Sequence, residues 1–192
     1  MATTNPLPIT GDAEADRLLV EDPLALLIGM LLDQQVPMEW AFRSPSVLKE
    51  RLGGTLDADA IASMPPDDLD EVFRTKPALH RYPGNMAKRT QTLCRHVVDT
   101  YDGDPARIWT DADSAKDLYG RIRDLPGYGE QKARIFLALL GKRFDRAPAG
   151  WEEHAGPYGD SEPRSVADID SAGALEAVRE HKRMMKEASK AP

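Results

Sequence analysis

Cysteine is nearly absent from this chain of 192 residues: Cys94 is the only one. A lone thiol excludes an intrachain disulfide and any metal site built on a cysteine cluster. The four histidines, His80, His96, His154 and His181, are too scattered to supply close ligand pairs, so neither a metal nor another cofactor is expected. Long apolar runs are also missing. Nothing approaches the roughly 20 residues needed to cross a bilayer, and residues 1–6 lack both the basic and the apolar part of a secretory signal. The expectation is a cytoplasmic protein with no membrane contact. Period-two alternation is scarce, which leaves little room for sheet. An excess of basic charge is lacking too: the formal net charge is −7, which argues against a protein that coats nucleic acid through its overall charge.

The charges that are present are unevenly placed. Residues 74–96 hold six basic side chains (Arg74, Lys76, Arg81, Lys88, Arg89, Arg95) and no acidic one, and residues 120–146 hold seven against Asp124, Glu130 and Asp145. Acid concentrates in 57–71 and 99–117. A folded protein with one basic face reads this way, and so does ordinary solvated helix surface.

Helix signals dominate the rest. Asp22-Pro23 is an N-cap followed by proline at the first helical position, and Leu24, Leu27, Ile28, Leu31 and Leu32 give a broad apolar face that ends at Asp33-Gln34-Gln35. Ser44-Pro45 repeats the start signal, with Gly53-Gly54 as the stop. Short helices are expected over 57–63 and 66–73, a long one over 85–101, then 104–109 and 113–123. Segment 142–170 holds Pro148, Pro157, Pro163, Gly150, Gly156 and Gly159 and reads as a long irregular connection, either a functional loop or a flexible excursion. A last helix is expected over 172–188, with Leu175, Val178 and Met185 available for docking. The chain is therefore expected to be all-α, a single domain over 1–192, with many helices of modest length.

Leu125-Pro126-Gly127-Tyr128-Gly129 lies between two helical runs, so its glycines form a tight hairpin. Such a turn, with the helix N-terminus after it, exposes successive N–H groups and makes a phosphate site that ignores base sequence. Lys132 and Arg134 sit close enough to add charge to that cradle.

This hairpin, with Ala133 and an apolar helix after it, resembles the Leu-Pro-Gly-x-Gly-x-x-x-Ala motif of the helix-hairpin-helix DNA glycosylases, the superfamily of endonuclease III. Leu26 to Leu32 followed by Asp33-Gln34-Gln35 resembles the family's central helix and its Gln-Gln end, and Arg81-Tyr82-Pro83-Gly84-Asn85-Met86-Ala87-Lys88-Arg89 resembles a turn and helix that precede the hairpin. Order and spacing agree over 23–140. The resemblance implies two helical lobes with a DNA cleft between them, no iron–sulfur cluster, which would need four cysteines, and a monomer whose partner is double-stranded DNA. It implies DNA contacts at Gln34, Gln35, Arg89, Gly127, Tyr128, Gly129, Gln131, Lys132 and Arg134.

Two departures bear on chemistry. The aspartate that stabilises the cationic sugar in this family is expected about twenty residues past the hairpin, and Ala149 stands there. Asp33, at the end of an apolar helix whose dipole raises a carboxyl pKa, and Asp145 are the leading catalytic candidates, with Glu152, Glu153 and Asp160 behind them, although either of the first two also fits a surface or capping aspartate. The lysine that gives some members strand-cleaving activity is replaced by Gln131. Lys132 follows one position later, rotated by about 100°, and is expected to contact phosphate or solvent. Trp151, His154 and Tyr158 can line a base pocket or clamp the long connection to the body. The implied function is a monofunctional base-excision glycosylase, hydrolysing the base–sugar bond of a damaged nucleotide. The alternative is a non-catalytic helix-hairpin-helix protein that binds damaged or bent DNA.

Overall fold

The computed structural model describes residues 7–190, which form eleven α-helices and two 3-10 turns with no β-strand among the described residues. Helices α1 (Ala13–Glu21) and α2 (Pro23–Leu32) are started by aspartates: Asp12 accepts from the N–H groups of Glu14 and Ala15, and Asp22 from those of Leu24 and Ala25. Every residue from Leu24 to Leu32 is buried, so α2 is the axis around which the rest assembles. At roughly 1.5–3 kcal/mol for each large side chain removed from water, this helix is the largest single apolar contribution.

Helix α3 (Met38–Arg51) packs on α1 and α2. Short helices α4 (Ala58–Ser63) and α5 (Pro66–Arg74) pack on the 19-residue α6 (Pro83–Tyr101), where the Gln91 amide donates to the carbonyls of Ile61 and Met64 and ties off the end of α4. The one-turn α7 (Arg107–Thr110) leads to α8 (Ala115–Arg123), capped by Ser114, and then to α9 (Glu130–Phe144). Helix α10 (Trp151–Ala155) packs on α8 and α9, and α11 (Ala172–Ala188) closes the described chain. No helix of the described residues is long and apolar enough to cross a membrane.

Three expectations change. Helix α1 was not foreseen. Ser44-Pro45 does not start a helix: α3 begins at Met38 after Pro37 and runs through Pro45, which deprives only the Ala41 carbonyl of its N–H partner, while the Ser44 hydroxyl lies 2.9 Å from the Trp40 carbonyl and 2.6 Å from that of Leu79. Segment 142–170 is no free excursion. It contains α10 and 3-10 turns at Gly156–Gly159 and Val166–Asp168, and it is fastened to α9 by a largely buried Lys142–Asp168 ion pair of 2.6 Å. Trp151 lies flat against Gly141 of α9, where a Cβ would sit 2.3 Å from the indole.

Candidate nucleic-acid interface and cleft

The hairpin forms where expected, between α8 and α9. Gly127 has φ +84, a left-handed conformation that costs glycine nothing, and a Cβ there would fall 2.4 Å from Leu31 Cδ1. The turn is thus pressed against α2. Tyr128, between the glycines, turns inward: it is buried, meets the Phe136 ring edge-on, and its hydroxyl donates to the Leu27 carbonyl at 2.7 Å. Tyr128 therefore props the hairpin from inside and does not face a ligand. Gly129 is exposed at the N-cap of α9 with φ −79, open space around it and no side-chain cap, so the first-turn N–H groups of α9 face outward. Beside the turn, Lys88, Arg89, Thr92, Pro126 and Gly127 line a hollow of about 330 Å³.

The other half of the site is the end of α2. Asp33 is its C-cap, with its N–H donating to the Gly29 carbonyl. The exposed C-terminal carbonyls of a helix carry negative partial charge, and here a half-buried cation answers them: the Lys132 ammonium donates to the carbonyls of Met30, Leu31 (3.4 Å) and Asp33 (3.2 Å). The ammonium thus has three carbonyl partners within the protein, where the sequence reading expected phosphate or solvent. Burial pushes its pKa down to about 8, with the neighbouring Asp33 pulling the other way. Burial also raises the Asp33 carboxyl above its ordinary range, against the opposing charges of Lys182 and Lys132. The direction agrees with the sequence reading, but the leading cause is desolvation.

Further contacts hold the turn after α2. His80 Nε2 lies 3.2 Å from the Leu32 carbonyl and 3.0 Å from that of Gln34, while Nδ1 accepts the Tyr82 N–H at 3.0 Å. That pattern requires the neutral ring with its proton on Nε2, and burial lowers the His80 pKa accordingly. Gln34 donates its side-chain amide to the Leu31 carbonyl and accepts from Arg89 at 3.1 Å. Gln35 is exposed with φ +58, an uncommon backbone for a residue other than glycine.

These elements converge on a cleft of about 760 Å³ lined by Asp33, Gln34, Gln35, Gln131, Lys132, Tyr158, Lys182 and neighbours from α9 and α11. Asp33, Val36 and Lys182 also border a second cleft, of about 900 Å³, reaching past Trp40 to Arg179. Gln131 is exposed and donates its amide to the Tyr158 hydroxyl at 2.8 Å.

The other expected residues are placed elsewhere. Asp145 is the exposed left-handed cap at the far end of the 15-residue α9, about 24 Å along the axis from Gly129, because the helix runs on past Leu140. Trp151 is spent on Gly141, and the His154 ring stacks on Tyr119 at 6.2 Å, so of the three aromatic candidates only Tyr158 reaches the cleft. Arg134 pairs with Glu130 at 2.8 Å and lies over the Tyr119 ring. The sequence reading missed His80 and Lys182. The only signal for Lys182 was the spacing of basic residues in the last helix, and His80 gave none.

Residues 28–191 match the family described as HhH-GPD superfamily base excision DNA repair protein. No curated protein and no solved structure matches the chain.

Proposed function

The chain belongs to the HhH-GPD superfamily of base excision DNA repair proteins, and from that premise we propose that it is a monofunctional DNA N-glycosylase acting on a damaged base in duplex DNA. The observation that carries this reading is the convergence of the Asp33-Gln34-Gln35 end of α2 and the first turn of α9 on one cleft, beside an outward-facing hairpin. The N–H groups after Gly129 and the cations Lys88 and Arg89 suit a backbone phosphate. The cleft volume suits one extrahelical nucleotide, with Gln35 and Gln131 offering donors and acceptors to a base edge and Tyr158 an aromatic face.

Breaking the base–sugar bond builds positive charge on the sugar, and a carboxylate beside that carbon lowers the barrier. Asp33 borders the cleft and fills that role in place of the missing aspartate at Ala149. Water attacks the sugar, the base leaves with the bonding electrons, and a proton reaches the departing base. Strand cleavage by an amine is not expected, since Gln131 is no nucleophile and the Lys132 ammonium is engaged with carbonyls.

The second reading, a non-catalytic binder of damaged or bent DNA, is favoured by the same Asp33: a carboxyl biased by burial toward its neutral form is a weaker partner for a cation. Incubation with duplexes carrying alkylated, oxidised and deaminated bases, scored separately for abasic sites and strand breaks, decides. Abasic sites without breaks, lost in Asp33→Asn, are expected. Selective binding of a modified duplex with no base release would replace the first reading by the second.

A further inference from the structure

Helix α11 buries only Val178, and from Lys182 onward it is exposed to its end. At 3.6 residues per turn, its charges sort by face. Arg179, Lys182 and Lys186 fall within an arc of about 60° that also holds the half-buried Leu175, with the docked Val178 at its side, while Glu176, Glu180 and Glu187 gather on a separate arc. The basic arc begins inside the clefts: Arg179 lines the larger one and pairs with Glu39 across it, and Lys182 lines both. Arg179 also holds Glu176, but among the described residues Lys182 and Lys186 have no carboxylate within ion-pair distance. In a chain with a net charge of −7, Lys182 at the cleft rim and Lys186 one helical turn beyond it carry no ion pair among the described residues, although the Asp33 carboxyl lies near enough to feel the charge of Lys182.

We infer that Lys182 and Lys186 form a second phosphate-binding surface, separate from the hairpin, which takes the sugar-phosphate backbone next to the nucleotide held in the cleft. This rests on the DNA-binding reading above. Four residues of helix set the two side chains roughly 6 Å apart along the axis, a separation at which two long stems reach successive phosphates of one strand. The docked edge fixes the stripe beside the cleft, and the acidic arc turns away from it, so a polyanion meets attraction on one side only. Two long cationic stems without fixed partners suit phosphate, which is positioned by charge and makes no demand on base identity.

The test is the salt dependence of binding to a short unmodified duplex, measured on the full chain. Each phosphate contact adds about 0.9 to the slope of log affinity against log salt. The double variant Lys182→Gln/Lys186→Gln is expected to bind more weakly with a slope smaller in magnitude by about 1.8, and Lys182→Arg/Lys186→Arg to keep the wild-type slope. A thermal melt of each variant separates lost contact from lost fold, and at these exposed positions no change is expected. An unchanged slope in the Gln variant, with wild-type binding intact, overturns this surface and leaves the hairpin reading standing. Failure of the wild-type chain to bind DNA at low salt overturns both, and would hand the stripe to an acidic protein partner.

Discussion

At the scale of single residues, the candidate site is governed by how three ionisable groups are placed around the end of α2. The neutral form of His80 satisfies two carbonyls with one nitrogen and an N–H with the other, so protonation would set two donors, Nδ1–H and the Tyr82 N–H, against each other. A histidine whose folded pKa is lowered contributes stability that is present above its unfolded value near 6.5 and lost as pH falls through the folded value. The melting temperature should therefore fall on acidification below pH 6.5, and His80→Leu, though less stable overall, should show a flatter profile in that window. Asp33 has the opposite sign: its raised carboxyl favours the fold at low pH and costs stability as pH rises from about 3.8 through the folded value. Asp33→Asn should remove that cost, so urea titrations should find it at least as stable as wild type at neutral pH even as base release is lost. Tyr128 is a test of structure alone. Tyr128→Phe deletes a buried hydrogen bond worth about 1 kcal/mol and should lower the denaturant midpoint while leaving DNA affinity within twofold, because the ring faces α2.

At the scale of elements, the hairpin separates fold from function at two neighbouring glycines. A side chain at Gly127 meets both a left-handed backbone and Leu31, so Gly127→Ala should destabilise the protein as a whole. Gly129 has an ordinary φ and free space, and aspartate is a favoured N-cap. Gly129→Asp should melt at or slightly above the wild-type temperature while losing at least tenfold in duplex affinity, since it sets an anion where a phosphate is expected. The hairpin, α2, α5 and α6 were legible because their signals are local: a capping aspartate, a proline at the first turn, an apolar face. Segment 142–170 was opaque for the opposite reason. Its prolines and glycines speak for loops, and its order comes from distant partners, Trp151 on Gly141 and Lys142 with Asp168. Lys132 was misread in the same way. Spacing put it one position past the lysine of strand-cleaving members but could not show that the carbonyls of another helix waited there.

At the scale of the whole molecule, stability is distributed outward from α2. Its residues from Leu24 to Leu32 are all buried, whereas α11 is attached by Val178 and a half-buried Leu175. Amide hydrogen exchange should find the slowest protons in α2 and the fastest helical protons in the second half of α11, with protection of α11 rising when duplex is added. The contact between hairpin and α2 has a mechanical meaning. Because Gly127 abuts Leu31 and Tyr128 is bonded to Leu27, the turn and the helix that ends at Asp33 are one rigid piece, and the ledge where a backbone rests stands at a constant offset from the cavity mouth. On the function proposed above, a strand gripped at the hairpin would thereby be indexed: whichever nucleotide lies at that offset would be the one presented to the cleft. On that same reading, position is selected before the base is.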